Sequence, residues 1–376
     1  MTMRQKRIII SATNDLATDQ RVKRHCSTLH DRGYDILLTG RMLDNSLSVD
    51  DMPWKTRRVR HWFNKGALFY AEYNIRLFAF LLFAPCDILH ANDLDTLPAN
   101  YLSSRIRSKQ LVYDSHEYFT EVPELTGRPV VKKIWERIEK LIFPKLCNII
   151  TVNRSIALAY KKKYGKDIRV IRNLPERWSI NSTVSPTFYG LPENKRLIIL
   201  QGAGINRDRG AEEAVEAMRY IDNAVLVIAG KGDVIPELKA KVRESSSIQE
   251  KVFFIPPMPY KELMQLTGIC DLGLSLDKDS NLNYRYSLPN KIFDYVMAGI
   301  PVLVSDLPEL RRIVEKYEIG LIAKDYSPKG IALSINSILS GNSGINFLKN
   351  KLQKAADLLN WDIEKHKLIS LYMELQ

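Results

Sequence analysis

Short apolar runs alternate with longer amphipathic stretches along most of this 376-residue chain. Each run has the length of a fully buried parallel strand, and each stretch between runs has room for a helix. Such alternation predicts an α/β fold built from doubly wound parallel sheets. In the first half, the predicted strands cover residues 7–12, 34–39, 87–90, 110–114, 147–152 and 168–171. In the second half, they cover residues 197–201, 224–229, 252–255, 271–276, 300–304 and 320–323.

A polar, proline-containing stretch at residues 173–194 interrupts the alternation and has no periodicity of its own. A chain of this length exceeds a single hydrophobic core. We therefore predict two Rossmann-like domains, over residues 1–172 and 173–360, which face each other across a cleft. Helices predicted at residues 347–359 and 361–375 close the chain.

A strongly apolar segment, residues 67–83, is interrupted by Glu72, Asn74 and Arg76. It is shorter than the roughly 20 residues that a membrane-spanning helix needs. A helix buried in the first domain is the favoured interpretation, and a helix lying at a membrane interface is the alternative.

The composition, with 45% apolar and 26% charged residues, is that of a soluble globular protein. Four widely spaced cysteines form no CxxC pair, which argues for a reducing compartment and against zinc or disulfides. The start of the chain lacks the apolar run of a signal peptide. We expect a cytoplasmic protein without a bound metal.

The net charge of +12 is unevenly distributed, because the whole excess lies in residues 1–172. One-sided positive charge suits an anionic membrane surface or an anionic acceptor. Solvated helix faces alone are the alternative explanation. No nucleic-acid-binding motif accompanies the charge, so nucleic acid is not expected as a partner.

Polar side chains cluster where the predicted strands of the first domain end, and ligands of parallel sheets bind at these carboxyl ends. They include Asn14 and Asp19, then Asn92 and Asp93, and finally the sequence Asp-Ser-His-Glu at residues 114–117. His116 could act as a base or hydrogen-bond a sugar hydroxyl, or it could be structural.

The second domain contains two glycine-rich turns that follow strands. The loop from Gly202 to Gly210 opens a helix and contains Arg207 and Arg209, which suits a diphosphate. The second turn is Gly230-Lys-Gly. Neither turn completes a dinucleotide fingerprint or a Walker loop, so a nicotinamide oxidoreductase is disfavoured.

Two later segments carry further candidate chemistry. Asp277-Lys-Asp could hold a divalent metal, but a solvated loop is the favoured interpretation. In residues 283–306, Ser287 is predicted to cap a helix whose first turn carries Lys291, with Asp294 one turn later. Free N–H groups beside a cation predict an anion site there, especially for phosphate.

Several of these segments resemble the retaining GT-B glycosyltransferases of family 4, the "glycosyltransferase group 1" type. In the second half, the matching segments are 202–210, 227–232, 252–255 and 289–301; in the first half, they are 19–22 and 113–117. The resemblance implies transfer of a sugar from a nucleotide-sugar donor on the second domain to a glycan or lipid-linked acceptor on the first. It also implies retention of anomeric configuration, a C-terminal helix (361–376) crossing back to the first domain, and no metal cofactor.

The resemblance assigns roles to individual positions. The implied catalytic residues are His116, Arg209, Lys291 and Asp294. The implied donor-binding residues are Gly202, Gly204, Arg207, Arg209, Gly230, Ile255, Ser287, Leu288, Asn290, Lys291 and Asp294. The implied acceptor-binding residues are Asn14, Asp19, Asn92, Asp93 and Glu117.

The sequence departs from the family pattern at several positions. Tyr286 stands where the first glutamate of the E-x7-E motif is expected, Ala203 replaces an arginine, and Arg209 replaces a lysine. The glycine pair of the first domain is also missing. We expect an enzyme of cell-surface polysaccharide or glycoconjugate synthesis, at the inner face of the membrane or free in the cytoplasm. A non-catalytic subunit of a glycosyltransferase and a nucleotide-sugar epimerase remain as alternatives.

Overall fold

A computed structural model describes residues 5–177, 184–340 and 342–375, with side chains omitted for residues 342–347. The chain divides into two compact units. The first comprises the described residues of 1–173 together with those of 364–376, and the second comprises those of 174–363. The predicted linker at 173–194 lies partly outside the described residues.

The first unit is a seven-stranded parallel sheet in the order β3-β2-β1-β4-β5-β6-β7. Its strands are β1 (Arg7–Asp15), β2 (Asp35–Arg41), β3 (Lys55–Val59), β4 (Ile88–Asn92), β5 (Gln110–Ser115), β6 (Asn148–Thr151) and β7 (Arg169–Val170). Its helices are α1 (Gln20–Asp31), α2 (Gly66–Phe83), α3 (Asp93–Ile106), α4 (Pro129–Ile142) and α5 (Arg154–Tyr164). The outer helix α14 (Trp361–Glu374) belongs to this unit from Glu364 onward.

Helix α14 is attached to the first unit by polar contacts as well as packing. The Glu364 carboxylate accepts hydrogen bonds from the main-chain N–H and the guanidinium of Arg172. The Tyr372 hydroxyl lies 2.5 Å from Nδ1 of His90, and the Tyr372 main-chain carbonyl accepts a hydrogen bond from the Tyr34 hydroxyl. All three aromatic side chains are buried, so the helix is part of this unit's core.

The second unit is a six-stranded parallel sheet in the order β10-β9-β8-β11-β12-β13. Its strands are β8 (Arg196–Gly202), β9 (Ala224–Gly230), β10 (Val252–Ile255), β11 (Leu272–Ser275), β12 (Val302–Ser305) and β13 (Gly320–Ala323). Its helices are α6 (Ala211–Ala217), α7 (Ile235–Arg243), α8 (Tyr260–Gly268), α9 (Leu282–Arg285), α10 (Lys291–Met297), α11 (Pro308–Tyr317), α12 (Pro328–Leu339) and α13 (Asn342–Leu358).

Both sheets are covered by helices on each face, which is why their central strands are uniformly apolar. In β1, Ile8, Ile9 and Ile10 are all fully buried. The two Rossmann-like domains and their strand alternation are therefore confirmed. The terminal helices lie at Asn342–Leu358 and Trp361–Glu374, close to their predicted positions.

Helix α2 differs from the favoured prediction of a buried helix. Phe69, Tyr73, Leu77 and Leu81 pack into the core, but only 28% of the helix is buried. Among the described residues, this 18-residue helix is the one long and apolar enough to cross a membrane by length and composition. Because its inner side belongs to the core of a folded unit, it lies along the sheet and presents its other side outward.

Candidate functional site

A cationic cluster lies beyond the carboxyl ends of the central strands in the second unit. Arg209 follows β8, Asp277 follows β11, and Lys291 begins α10. The Arg209 guanidinium donates to the Asp277 carboxylate at 2.9 Å, and Nζ of Lys291 lies 4.0 Å from the other carboxylate oxygen. The Arg209 guanidinium also stacks 4.2 Å from the Tyr284 ring centroid. Two cations thus share one carboxylate, which leaves the cluster net positive.

Burial controls the charge of this cluster. The Asp277 side chain is fully buried, whereas those of Arg209 and Lys291 keep 27% and 12% of their surface exposed. Burial lowers the pKa of Lys291, and Asp277 only partly offsets that effect. Although burial also acts against Arg209, Asp277 raises the pKa of its guanidinium, which therefore stays charged. The two cations can bind an anion on their solvent-exposed side, while the buried Asp277 carboxylate holds them on their inner side.

The prediction that Asp277 lies in a solvated loop is wrong. Its carboxylate is the centre of the cluster and also accepts a hydrogen bond from the Ser275 hydroxyl at 3.3 Å. Asp279 does lie at the surface, where it pairs with Arg285. The two carboxylates therefore belong to different surroundings, and they do not form a shared metal site.

The glycine turns pack directly beside each other. Gly230 has φ of +133°, and a Cβ atom there would lie 1.9 Å from the main-chain oxygen of Gly202. The turns are also joined by hydrogen bonds from the Ile205 N–H to the Lys231 carbonyl and from the Lys231 N–H to the Gly202 carbonyl. Gly204 is exposed, and a Cβ atom there would make only an ordinary contact, 3.7 Å from Nδ2 of Asn206. The turns form a compact main-chain surface at the ends of β8 and β9.

Asp294 belongs to a separate polar network. One carboxylate oxygen accepts a hydrogen bond from the Tyr260 hydroxyl at 2.7 Å, and the other accepts from the Gln201 amide at 3.2 Å. The Gln201 amide oxygen in turn accepts from the Thr267 hydroxyl at 2.7 Å. Side chains of α8 and β8 therefore fix the carboxylate, which remains half exposed.

Several predicted donor residues have other positions. The prediction that Ser287 caps α10 is wrong, because its hydroxyl donates to the Tyr284 carbonyl and the helix begins only at Lys291. Asn290 is the exposed N-cap residue but makes no capping bond through its side chain. The Arg207 guanidinium pairs with Glu237 at the surface, apart from the cluster around Asp277.

Two apolar donor candidates also contact the core. Ile255 ends β10, and Leu288 precedes α10; both are partly buried and pack against the hydrophobic core of the second unit. Tyr286 ends the short helix α9 and is half exposed. The structure therefore brings together Arg209 and Lys291 among the predicted donor residues, with Asp294 in its own network.

In the first unit, His116 is held between two carboxylates at the ends of β4 and β5. Its Nδ1 lies 3.3 Å from Asp93, and its Nε2 lies 3.3 Å from Asp114 and 3.1 Å from the Asn92 amide oxygen. Its main-chain N–H donates to Asp93 at 2.8 Å. Although burial opposes the effect, the two carboxylates raise the pKa of His116 to about 9. The two acidic neighbours therefore favour the imidazolium form of the ring, which donates hydrogen bonds, and burial raises the pKa of Asp93 itself to about 8.

Asp114 is the buried centre of a larger network. The Arg21 guanidinium from α1 binds both of its oxygens, at 2.7 and 2.9 Å. Although burial opposes the effect, Arg21 and His116 hold the pKa of Asp114 well below its usual value. His25 and His90 approach the same carboxylate at 3.5 and 3.9 Å.

These three side chains raise the question of a metal. His25, His90 and Asp114 offer ligand atoms that lie within 4.8 Å of one another. However, the Arg21 guanidinium occupies both oxygens of Asp114 and supplies the positive charge that a metal would bring. The cluster is better described as a hydrogen-bonded support for His116.

The other predicted acceptor residues lie at the strand ends of the first unit, and they differ in burial and in hydrogen-bond partners. Asp19 is the N-cap of α1, where its carboxylate accepts from the Val22 N–H at 3.1 Å, and Asn14 donates to it at 3.3 Å. Asn92 is buried and donates to a main-chain carbonyl of β1 at 2.9 Å. Glu117 is half exposed beside His116. Asn92, Asp93, His116 and Glu117 thus lie together.

Sequence reasoning missed residues that support the site from neighbouring elements. Asp277 follows a buried strand in the same way as Asp114, but a solvated loop was the favoured interpretation, so its role in the cluster was not predicted. Arg21 lies in a stretch that matches the family, but nothing in the sequence links it to Asp114, which is 93 residues away. Tyr260 and Tyr284 have no sequence signal of their own.

A pair of Rossmann-like parallel sheets, with these polar clusters at their strand ends, defines the fold class of the GT-B glycosyltransferases. The family described as "Glycosyltransferase Family 4" matches residues 19–174, and "Glycosyl transferases group 1" matches residues 186–357. Together these matches cover nearly the whole chain, which belongs to the group 1 glycosyltransferases.

Individual relatives are distant. The chain is 21% identical to an uncharacterized glycosyltransferase of Methanocaldococcus jannaschii, over 85% of this chain and 83% of that protein. It is 26% identical to the chitobiosyldiphosphodolichol beta-mannosyltransferase of Yarrowia lipolytica, over only 35% of this chain and 29% of the relative. The structure of Anabaena HepE in complex with UDP-glucose superposes with a TM-score of 0.77 at 13% identity, covering 98% of this chain and all of that one.

Proposed function

We propose that this glycosyltransferase moves a sugar from a nucleotide-sugar donor to a glycan or lipid-linked acceptor, with retention of anomeric configuration. The observation that supports this proposal most directly is a pair of cations at the strand ends. Arg209 and Lys291 are held by the buried carboxylate of Asp277, beside two glycine turns. A net positive, partly exposed cluster at the end of a parallel sheet suits a diphosphate. The UDP-glucose complex of a protein with the same fold supports this class of donor.

The reaction breaks the bond between the anomeric carbon and the diphosphate oxygen, which leaves with the electron pair. The acceptor hydroxyl oxygen bonds to the same carbon, and its proton passes to the departing diphosphate. The leaving group gains negative charge in the transition state, and fixed cations stabilise such charge by about 3–4 kcal/mol per donor when water is excluded. Arg209 and Lys291 supply that stabilisation. Asp294 accepts hydrogen bonds from ribose or sugar hydroxyls, in exchange for one of those it accepts from Tyr260 and Gln201.

In the first unit, we place His116 beside a bound sugar, with both of its ring N–H groups already directed at carboxylates. Its two carboxylate contacts keep it charged, so its role is electrostatic. Asn92, Asp93 and Glu117 contact the acceptor. Retention is inferred from the family resemblance; it requires no protein nucleophile, and NMR of the anomeric proton in the product tests it.

We further propose that the enzyme works in the cytoplasm as a peripheral protein of the inner membrane face, in polysaccharide or glycoconjugate synthesis. The positive charge confined to residues 1–172 supports attraction to an anionic surface or acceptor. No metal cofactor is required, because Arg209 and Lys291 provide the charge that a metal would supply to the diphosphate.

Paired arginine variants test the proposal. Arg209→Ala removes a cation of the buried cluster, so we expect sugar transfer to fall by at least about tenfold, or more than about 1.4 kcal/mol of transition-state stabilisation. Arg207→Ala is the matched control, because its guanidinium pairs with Glu237 at the surface. We expect its activity to stay within about twofold of wild type.

The assay is transfer and donor hydrolysis over a panel of nucleotide sugars, with thermal unfolding as the control for folding. Equal activity of the folded Arg209→Ala and wild-type proteins would contradict the assigned role of Arg209. Nucleotide-sugar binding without any turnover would favour a non-catalytic subunit. Interconversion of donors without an acceptor would favour an epimerase.

A further inference from the structure

The first unit carries an outer surface that contains none of the candidate site residues. Helices α2, α3 and α4 connect β3 to β4, β4 to β5 and β5 to β6. These three crossovers run in the same direction across a parallel sheet, so right-handed connections place all three helices on one face. The helices pack side by side, and the rings of Tyr70 on α2 and Trp135 on α4 meet at 5.2 Å. We call the exposed residues of these helices the three-helix face.

The outer side of α2 is an uninterrupted apolar stripe. Its exposed positions beyond the first two residues are Leu68, Ala71, Ile75, Ala79 and Phe83. Spacings of three and four residues align these side chains along one side of the helix. Ile75 and Phe83 are 68% and 85% exposed. A surface helix normally places polar residues here, so the stripe marks an interaction surface.

Helices α3 and α4 continue the stripe with apolar and basic side chains. The exposed residues are Leu102, Arg105 and Ile106 on α3, and Pro129, Val130, Lys133, Ile134, Arg137, Lys140 and Leu141 on α4. All three helices are fully described, and no aspartate or glutamate is among their exposed residues. The three-helix face therefore consists mainly of apolar side chains, and all of its charged residues are cations.

An aromatic corner adjoins the N-terminal end of α2. Trp62 is 85% exposed, and Phe63 beside it is also exposed. Both main-chain N–H groups donate to the Glu72 carboxylate at 3.0 and 3.1 Å, which fixes this corner to the helix. A tryptophan with one end apolar and one end polar suits the boundary between lipid and water.

We propose that the three-helix face docks on the surface of an anionic lipid bilayer. The apolar stripe enters the boundary between headgroups and acyl chains, and Arg105, Lys133, Arg137 and Lys140 contact anionic headgroups. A second copy of the chain is a poorer occupant, because pairing two such faces would set cations against cations. The inference deepens the proposed peripheral association and rests on it, but it does not depend on the donor site.

Flotation with lipid vesicles tests the face. We expect the wild-type protein to float with vesicles of phosphatidylglycerol and phosphatidylcholine in equal parts, and at least tenfold less with phosphatidylcholine alone. The double variant Ile75→Ser with Phe83→Ser should lose at least tenfold in vesicle binding. Its matched control, Phe188→Ser with Leu333→Ser, changes side chains of similar exposure in the second unit and should bind like wild type.

Charge reversal tests the cations separately. Lys133→Glu with Arg137→Glu on α4 should weaken binding at least tenfold at low salt, whereas Lys349→Glu with Lys354→Glu on α13 should weaken it by less than threefold. Vesicle binding that is equally weak in the face variants and their controls would overturn the proposal. So would a wild-type dimer, seen by light scattering, that the Ile75 and Phe83 changes convert to a monomer.

The donor site provides the readout that separates this inference from the proposed function. All these variants lie outside the Asp277 cluster, so their affinity for UDP should match that of wild type. Vesicle binding without any nucleotide binding would contradict the proposed donor and leave the docking face intact. Nucleotide binding without vesicle binding would contradict the docking face alone.

Discussion

Replacing Asp93 by asparagine would test whether His116 is held as a cation. The change removes one of the two carboxylates at the ring and preserves the shape of the side chain. Asp93 has φ of 57°, a left-handed conformation that asparagine tolerates well. The amide oxygen of the new asparagine can still accept a hydrogen bond from the main-chain N–H of His116. In the wild-type protein, the Asp93 carboxylate accepts this bond at 2.8 Å. The variant should therefore fold.

The expected size of the effect follows from the geometry. Asp93 and Asp114 each lie 3.3 Å from a ring nitrogen and together raise the pKa of His116 from 6.5 to about 9. This difference corresponds to a preference of about 3 kcal/mol for the imidazolium. Removing one of two similar contacts should remove about half of it, so the pKa should fall by about one unit or more.

NMR of 13C-labelled histidine rings measures this pKa directly. The six histidines can be followed across the pH range, and the His116 signal is identified by its loss in His116→Gln. Stability gives a second measurement, because the folded-state pKa lies above the unfolded value. The stabilisation of the folded state by protonated His116 is fully present below about pH 6.5 and is lost as the pH rises through about 9. Asp93→Asn should reduce that loss.

The matched control is Asp31→Asn, which removes an exposed carboxylate at the end of α1. It should leave the His116 titration unchanged. A wild-type His116 that titrates near 6.5 would refute the reasoning, and so would a pKa that Asp93→Asn does not move.

Two stability predictions concern the supports of the two sites. Arg21→Met leaves the buried carboxylate of Asp114 without its guanidinium, and urea unfolding should show a loss of about 3–5 kcal/mol; an unchanged midpoint would contradict the buried pair. Gly230→Ala places a Cβ atom 1.9 Å from the Gly202 oxygen at a positive φ, and calorimetry should show a loss of about 1–3 kcal/mol. Gly204→Ala, whose Cβ atom would make only an ordinary contact at 3.7 Å, should cost less than about 0.5 kcal/mol. Equal losses in both variants would count against the close approach of the turns.

The positions of most strands along the chain could be predicted, because burial on both faces requires continuous apolar runs. Such runs identified β8 and β9 to within a residue at either end. Strand β3 was missed, because it is an edge strand with the sequence Lys-Thr-Arg-Arg-Val and little burial. Its pairing with β2 depends on main-chain hydrogen bonds that leave no hydrophobic pattern.

The candidate site was predictable only where the residues are local in sequence. His116 and Asp93 follow strands, and the rule for strand ends identified both. The same rule applies to Asp277, but its neighbours Lys278 and Asp279 suggested a solvated loop. Whether a carboxylate at a strand end turns inward depends on a distant cation, here Arg209, and that partner is set by tertiary packing.

Prediction also failed where one segment has two different sides. The run at residues 67–83 is apolar apart from Glu72, Asn74 and Arg76, and a helix that is apolar on most sides is usually buried in the core. Its inner side does pack on the sheet, but the other side is equally apolar and exposed. Sequence hydropathy cannot separate these sides, because it does not show which neighbours cover them.

The attachment of α14 to the first unit has a consequence for the order of synthesis. Tyr372 contacts His90, from which it is separated by 282 positions along the chain. Glu364 accepts a hydrogen bond from Arg172, 192 positions earlier. A ribosome therefore completes the sheet of the first unit, and then the whole second unit, before it releases the helix that covers the first. During that interval the nascent first unit exposes the core surface around Tyr34 and His90. The helix that completes the first unit thus emerges only after the second unit has been made.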